Sequence, residues 1–422
     1  MKKILFTLIF STIAFSLFAQ TFVETNPTDV GMDPLRLERI DNIVNTSIEN
    51  GEIPGAVVLI ARNGEIAYHK SFGYSDIETK KPIDVNSIFR IASMSKAITT
   101  VGVMILYEKG MFKLSDPVSN YLPEFKNPSV LVEADSLGNV LKTEPAKREI
   151  RIIDLLTHSS GITYSFIRNK LQQTYVKEGI IDGVTEKEVK LEEIMKKLAT
   201  LPLLFSPGED FHYSLSVDLL GYLCEVISEK PFDEFLKEEI FDPLKMNDTY
   251  FYLPDSKSSR LVTLYSYDKT KGLVKSIGNE SSIKIDNVNY PVEGAKTYFS
   301  GGGGLSSTAY DYGRFIQMLL NNGKLEGIRL LSRKSVELMR RPRLDRNEDG
   351  IPDFGLGFSV VNNMAEYGEL TSDGAYSFGG AFYTHYWIDP QENMIGVFMS
   401  QVRPIKSDIS ARVKILSYQA LE

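Results

Sequence analysis

The spacing of one serine and one lysine offers the clearest candidate for chemistry in this chain. Ser93 and Lys96 lie three residues apart, just before a segment whose apolar residues recur with helical spacing from Ala97 to Ile105. Residues three apart share one face of a helix, so the two side chains would meet. A lysine amine shielded from water can lose its proton and accept that of a serine hydroxyl. The pair therefore predicts a nucleophilic serine, with a helix-capping serine and a solvated lysine as the alternative.

The spacing alone has little specificity, because the chain contains it three times. Ser266 and Ser281 also precede a lysine by three residues, but both lie in the polar stretch 255–300, which predicts loops and short strands. Ser93 differs because a helix is predicted to begin beside it, and the amino terminus of a helix carries partial positive charge. Its position therefore favours Ser93 over the other two serines.

The histidines and the single cysteine indicate less reactive roles. No two histidines have H-E-x-x-H spacing, and the sequence has no Cys/His cluster and no G-x-S-x-G segment. Neither a metal site nor an α/β-hydrolase triad is therefore predicted. His158 ends an apolar run at a turn, where we favour a hydrogen-bonded structural histidine over a catalytic one. Cys224 lies among the apolar residues of a helical segment, which predicts a buried small hydrophobic residue without a disulfide partner.

The elements that must position Ser93 follow from hydrophobic periodicity and turn residues. An Asn-Gly pair at 63–64 between two apolar runs predicts a β-hairpin. Strands are predicted near both ends of the chain, at 56–61, 65–69, 381–388 and 394–401. Helices are predicted at 33–50, 97–109, 151–157, 192–199, 214–229, 232–240, 308–321 and 407–421.

Strands at both ends with helices between them predict an α+β (α/β) fold, in which one antiparallel sheet is built from both termini and packed with helices. The α/β part would comprise about 30–90 and 300–422, and a mainly helical part about 91–299. The run from Ser300 to Leu305 contains four consecutive glycines and predicts a flexible connection to the next helix.

The first nineteen residues are predicted to form a secretory signal peptide that is cleaved after Ala19. Two lysines precede an apolar stretch at 4–18, and Ser16 and Ala19 supply small residues near the cleavage point. A membrane anchor is the alternative, although about 15 apolar residues are few for a span. The mature chain, residues 20–422, would then be periplasmic or secreted, with no stable membrane anchor.

Composition excludes several classes of protein. The 422 residues are 43% hydrophobic and 24% charged, with a net charge of −8. This composition is typical of a soluble globular protein. Because no basic block is present, we predict no nucleic-acid partner.

Several ordered motifs resemble those of one superfamily, the class C β-lactamases and family VIII serine esterases, whose wider group includes penicillin-binding proteins and D-amino-acid peptidases. The similarity extends from about residue 30 to 402. The matching segments are 91–96 (IASMSK), 114–118 (LSDPV), 155–161 (LLTHSSG), 211–214 (FHYS), 242–249 (DPLKMNDT), 301–307 and 376–380 (YSFGG). The resemblance implies the β-lactamase/transpeptidase-like fold.

The resemblance also implies catalytic roles. Ser93 would be the acylated nucleophile and Lys96 its partner. Tyr213 matches the tyrosine of the family's Tyr-x-Asn motif and would act as a base or proton relay. A packed aromatic residue is the alternative for Tyr213. The backbone N–H groups of Ser93 and Ala381 would form the oxyanion hole.

The implied substrate-binding residues depart from the family pattern in two places. Phe378, Gly379 and Gly380 fall where the family has Lys-Thr-Gly, or a His or Trp followed by two small residues, on an edge strand that lines the site. Phe378 therefore removes a cation that would meet a substrate carboxylate, and Leu215 replaces the asparagine of Tyr-x-Asn. Both changes favour a neutral, more apolar acyl substrate over a β-lactam.

The sequence thus predicts an exported serine hydrolase that forms a covalent acyl-enzyme on Ser93, acts on neutral esters or amides, and needs no metal or organic cofactor. Its partners would be small-molecule esters, amides or cell-wall peptides. A β-lactamase, D-Ala-D-Ala carboxypeptidase or D-aminopeptidase is the first alternative. A non-catalytic sensor similar to penicillin-binding proteins is the second.

One acidic segment stands apart from the family motifs. Residues 345–353 space oxygen-bearing side chains at alternate positions, as a calcium loop does, but Leu356 occupies the twelfth position, where a bidentate acid is expected. We favour a solvated acidic turn.

Overall fold

The computed structural model describes residues 22–277, 288–343, 353–364 and 368–422. The predicted signal peptide and all of the acidic segment except Asp353 lie outside these ranges. Within the described ranges, no helix is both long enough and apolar enough to cross a membrane.

The strands lie near both ends of the chain and in short hairpins between. In chain order they are β1 Gly55–Arg62, β2 Glu65–Asp76, β3 Lys81–Pro82, β4 Phe89–Arg90, β5 Ser129–Ala134, β6 Val140–Pro145, β7 Tyr265–Asp268, β8 Gly272–Lys275, β9 Ser306–Ser307, β10 Lys324–Leu325, β11 Ile328–Arg329, β12 Asp353–Phe354, β13 Ser359–Val360, β14 Tyr376–Gly380, β15 Thr384–Asp389 and β16 Met394–Met399.

The helices occupy most of the predicted positions. They are α1 Pro34–Glu49, α2 Ser95–Glu108, α3 Ile152–Leu156, α4 Gln172–Lys177, α5 Leu191–Leu198, α6 Ser216–Ser228, α7 Phe232–Leu236, α8 Asp255–Ser258, α9 Ala309–Leu320, α10 Arg333–Met339 and α11 Ile409–Gln419. A 3₁₀ turn, Ala92–Met94, leads into α2, and a π-helical turn, Lys237–Phe241, follows α7.

One antiparallel sheet joins the two ends of the chain, in the order β12-β13-β14-β15-β16-β1-β2-β3. The pairing of β1 with both β2 and β16 confirms the predicted sheet and the hairpin at Asn63-Gly64. A backbone hydrogen bond also joins the two ends outside the sheet: the N–H of Asp33 donates to Ala420 O at 2.8 Å. The α+β fold class is therefore correct.

The central strand β1 is apolar because both faces of the sheet are covered. Successive side chains of a strand point to opposite faces. Val57, Leu59 and Ala61 pack in the core with α2 and α9, whereas Val58 and Ile60 pack in a second core with α1 and α11. The continuous hydrophobic run at 56–61 follows from this double burial.

The middle region is less purely helical than predicted. The hairpin of β5 and β6 lies within it and was missed, because all six residues of β6 are exposed. A strand without a buried face shows no polar-apolar alternation from which it could be recognised.

The glycine run before α9 is a packed connection, and the prediction that it is flexible is wrong. A Cβ atom on Gly301 would lie 2.6 Å from the carbonyl oxygen of Val217, and one on Gly302 would lie 2.3 Å from Oδ2 of Asp218. Separations this short are steric clashes. These glycines therefore allow the chain to pass directly against the start of α6.

Strand β14 brings the sheet against the turn that carries Ser93. The prediction that this strand lies at the edge of the sheet is wrong, because β12 and β13 lie outside it. The register pairs β13 only with Tyr376 and Ser377, so Phe378 to Gly380 extend past this pairing. A Cβ atom on Gly380 would lie 2.3 Å from the carbonyl oxygen of Ile91.

We expect Gly380→Ala to lower the free energy of unfolding by about 1–3 kcal/mol, the usual range for forcing an atom into a packed interior. The matched control is Gly379→Ala, since a Cβ atom there would lie 3.5 Å from the nearest atom, Thr384 O, in ordinary contact. Urea unfolding of both variants measures the difference. Equal stabilities would show that the approach of β14 to Ile91 is not tight.

Candidate active site

Two side chains, one near in sequence and one distant, meet at the hydroxyl of Ser93. Its hydroxyl is half-buried in the turn before α2, and Ala92, just before it, has a positive φ of 43°. The Tyr213 hydroxyl donates to Ser93 Oγ at 2.6 Å, and Lys96 Nζ donates to the same oxygen at 3.3 Å. The structure thus brings together the predicted Ser93, Lys96 and Tyr213. A strained residue beside a reactive group is a recurrent feature of active sites.

The amine of Lys96 is enclosed by protein. The residue is 1% exposed, and Nζ donates to the carbonyl oxygen of Gly302 at 2.6 Å. Nζ also lies 4.5 Å from the ring centre of Tyr213 and 5.5 Å from that of Tyr164. Aromatic faces attract a cation, most strongly away from water. Lys96 is therefore held in one place, facing the serine.

A buried carboxyl group, Asp218 on α6, completes these surroundings. Its Oδ1 accepts a hydrogen bond from the Ser300 hydroxyl at 2.5 Å. Burial raises the pKa of Asp218, and the Ser300 hydrogen bond and the charge of Lys96 partly oppose that rise. The sequence analysis gave Asp218 and Tyr164 no role, and it contained Gly302 only within the matching segment 301–307. For Asp218 the available signal was an acid within the otherwise apolar stretch 217–224, since a buried acid normally has a specific partner.

His158 lies behind Tyr213 and not against the nucleophile. It is fully buried, with Nδ1 3.1 Å from Ser214 Oγ and its ring centre 4.9 Å from that of Tyr213. This is the placement of a structural histidine, as we favoured. The thiol of Cys224 is also buried, as predicted, and burial raises its pKa.

A cleft of ≈ 720 Å³ opens at Ser93. Phe378 lines it, with its ring centre 6.1 Å from that of Tyr213 and 6.2 Å from that of Phe354. Gly379, Gly380 and Ala381 continue the same wall. Phe211 and Phe354 were not predicted to line the site. Phe211 lies in the loop before α6 and Phe354 ends β12, and the direction of both side chains is set by packing.

The structure does not place Leu215 in this wall. Leu215 is fully buried, belongs to the main core and precedes the first turn of α6. Direct substrate contact by its side chain is therefore a wrong prediction. Residues around a helix start point inward or outward according to packing, and the motif position alone does not decide this.

Comparison with known proteins identifies the family. The family described as Beta-lactamase matches residues 40–420. A Mycobacterium tuberculosis protein named Protein Rv1367c is 32% identical over 86% of this chain and 90% of its own length. The chain belongs to the beta-lactamase family.

Two further relatives have names that state an activity. Esterase EstB of Burkholderia gladioli is 28% identical to this beta-lactamase-family chain over 87% of the chain and 91% of its own length. The solved structure of EstCE1, titled a hydrolase with promiscuous acyltransferase activity, is 27% identical. It superposes with a TM-score of 0.79 over 91% of this chain and 99% of its own. This beta-lactamase-family protein is accordingly a serine hydrolase with the β-lactamase/transpeptidase-like fold.

The described residues of this hydrolase contain no cluster of side chains suited to bind a metal ion. Over those residues, no group of three or more His, Cys, Asp or Glu side chains is arranged to hold an ion. The chemistry that the geometry offers rests on Ser93, Lys96 and Tyr213.

We expect the free energy of unfolding of Asp218→Asn, relative to that of the wild type, to increase as pH rises. Because burial raises its pKa above 3.8, folded Asp218 binds its proton more tightly than the unfolded chain does. This tighter proton binding stabilises the folded protein. The stabilisation is complete below the pKa of Asp218 in the unfolded chain and is lost as pH rises through its pKa in the folded protein. The free energy of unfolding, measured between about pH 4 and about pH 8, should therefore fall further in the wild type than in the variant.

The matched control is Asp268→Asn. Hydrogen bonds from Thr270 lower the pKa of Asp268 to about 2, so this carboxyl stays ionised in the folded protein over the tested range. Its stability curve should run nearly parallel to that of the wild type. If the stability curve of Asp218→Asn also runs parallel to that of the wild type, folding does not raise the pKa of Asp218.

Proposed function

We propose that this protein is an exported esterase-type serine hydrolase acting through a covalent acyl-enzyme on Ser93. The observation that carries the proposal is the meeting of the Tyr213 hydroxyl and the enclosed Lys96 amine at Ser93 Oγ, at 2.6 and 3.3 Å. A base must lie within hydrogen-bond reach of the proton that it removes, and both groups do.

The reaction proceeds in two transfers. Ser93 Oγ forms a bond to the acyl carbon, and its proton passes to the Lys96–Tyr213 pair, which holds one proton fewer in its reactive form. The pair returns that proton to the leaving oxygen as its bond to carbon breaks, which releases the alcohol. Water then repeats the sequence on the acyl-enzyme, with Ser93 Oγ as the leaving group, and releases the acid.

Developing negative charge on the acyl oxygen would be stabilised by backbone N–H groups of Ser93 and Ala381. Ala381 directly follows β14, and Gly380 packs against the carbonyl oxygen of Ile91. That contact holds the end of β14 beside the Ser93 turn. Fixed donors of this type are usually among the largest contributions to acyl transfer.

The acyl group near Ser93 would be neutral. Phe378, Phe354 and Phe211 form an aromatic wall there, and Phe378 stands where a cation would meet the carboxylate of a β-lactam. The esterase name of the Burkholderia relative supports this substrate class. A β-lactamase or cell-wall peptidase fits this wall less well. The intact set of Ser93, Lys96 and Tyr213 argues against a non-catalytic sensor.

We expect Ser93→Ala to abolish hydrolysis of p-nitrophenyl butyrate and labelling by a fluorophosphonate, while thermal unfolding stays close to that of the wild type. Removing a nucleophile typically lowers the rate by several orders of magnitude. Peptide mapping of the labelled wild type should locate the adduct on Ser93. Ser95→Ala is the control for a neighbouring serine and should still be labelled. Labelling of the Ser93→Ala protein would disprove the proposal.

We expect Phe378→Lys to raise kcat/KM for a chromogenic cephalosporin relative to p-nitrophenyl butyrate, by about ten- to a hundredfold. This is the range for one charge-assisted hydrogen bond to a carboxylate. Phe378→Leu is the matched neutral control and should leave the ratio close to that of the wild type. A wild-type enzyme that already prefers the cephalosporin would contradict the neutral-substrate assignment.

A further inference from the structure

The cleft at Ser93 continues into a second, polar region. Beyond Gly379 its polar lining residues are His385, Glu369, Ser407, Asp408, Ser410 and Lys414. We call these six residues the distal compartment, in which Asp408 is paired with Arg412 Nε at 2.8 Å. They belong to β15, to the segment before β14 and to α11 with the loop preceding it. None of them matches a motif found in the sequence.

Gly379 adds no side chain to the boundary between the two regions. In the sheet, Gly379 pairs with His385 and Phe378 pairs with Tyr386. Neighbouring pairs project to opposite faces of a sheet. Phe378 therefore faces the Ser93 side, while the space in front of His385 stays open. A Cβ atom at Gly379 would meet nothing closer than 3.5 Å, so packing alone does not require glycine at this position.

The distal compartment contains an almost fully buried cation. The side chain of Lys414 is 4% exposed, and its Nζ lies 3.6 Å from Glu369 Oε2. Charge-assisted hydrogen bonds are normally about 2.7–2.9 Å long. The Glu369 carboxylate therefore contacts Lys414 at ion-pair distance and, at 34% exposed, also faces solvent. Burial lowers the pKa of Lys414, although Glu369 and, more weakly, Asp389 oppose this shift.

His385 is an uncharged member of the distal compartment. Burial, followed by the positive charge of Lys414, lowers the pKa of His385 to about 4. His385 is therefore neutral at physiological pH. Its buried Nδ1 has no hydrogen-bond partner among the described residues. A buried polar atom of this kind is normally satisfied by solvent or a ligand.

We propose that the distal compartment binds a carboxylate of the substrate, several bonds from the scissile ester, through Lys414 and His385. The idea rests on the proposed esterase function and extends it to a substrate class: esters that are apolar near the reacting carbonyl and anionic at the remote end. A β-lactam does not fit this description, because its carboxylate lies close to the reacting bond.

The test compares matched esters in two series. One contains p-nitrophenyl monoesters of adipic to sebacic acid, with the alkanoates of equal length as neutral partners. The other contains acetate esters of ω-hydroxy acids, with acetate esters of the matching alcohols. In one of the two series, wild-type kcat/KM should be higher for the carboxylate-bearing ester than for its neutral partner, and the difference should be largest at one chain length. Lys414→Met should lower that preference about ten- to a hundredfold, with the neutral ester nearly unchanged.

A second variant separates binding from structural damage. Glu369→Gln removes the competing carboxylate while keeping its shape, so it should increase the preference for the anionic ester, the opposite of Lys414→Met. Lys406→Met is the control, because Lys406 is exposed and lies over the Tyr267 ring. A decrease in preference for both Lys414→Met and Glu369→Gln would indicate a structural ion pair and overturn the proposal. The same conclusion follows if Lys414→Met leaves both series unchanged.

Calorimetry keeps this test independent of turnover. Half-ester binding to the Ser93→Ala protein should weaken about ten- to a hundredfold when Lys414→Met is added. If Ser93 proves not to be the nucleophile but this difference is found, the esterase mechanism fails and the binding site stands. If esters are hydrolysed at Ser93 without any carboxylate preference or difference in binding, the distal compartment is not an anion site.

Discussion

The enclosed amine of Lys96 constrains every element around Ser93. A polar group taken out of water needs hydrogen-bonding or charged partners nearby, since burial without them costs several kcal/mol. The partners here come from three distant segments: the carbonyl of Gly302, the rings of Tyr164 and Tyr213, and the carboxyl of Asp218. Moving any of these segments would remove part of that compensation.

The same requirement explains the close packing below the site. Asp218 lies on α6 and Tyr213 lies just before that helix, so a short stretch of chain supplies both a carboxyl group and a hydroxyl to the surroundings of Ser93 and Lys96. Gly301 and Gly302 fit against the first turn of α6 because they have no side chains. The second boundary of the site is set by the sheet, where Gly380 rests on Ile91. The nucleophile is thereby fixed between two rigid walls.

The cleft that these walls leave is chemically divided. Aromatic rings surround its end at Ser93, and a buried lysine and a neutral histidine lie beyond Gly379. Such a division suits a ligand that is apolar at one end and charged at the other, because each end then meets its own type of surface. Aromatic residues near the reacting bond also limit water around the acyl group, which strengthens electrostatic interactions there.

The sequence determined the features that depend on local order. The alternating or continuous apolar runs, the Asn-Gly turn and the helical spacing after Ser93 predicted the sheet from both termini and most of the helices. The ordered motifs selected Ser93, Lys96 and Tyr213, which the structure brings together. Strand β6 escaped prediction, because a fully exposed strand carries no periodic signal.

Only the tertiary structure decided which distant side chains share a space. It placed Leu215 in the core, joined Asp218 and Gly302 to Lys96, added Phe354 to the cleft, and brought Lys414 to the strand of His385. Hydrophobic periodicity records which face of an element is buried, but it does not record what that face meets. Contacts between segments a hundred or more residues apart depend on how whole elements pack, and that information is not contained in any short stretch of sequence.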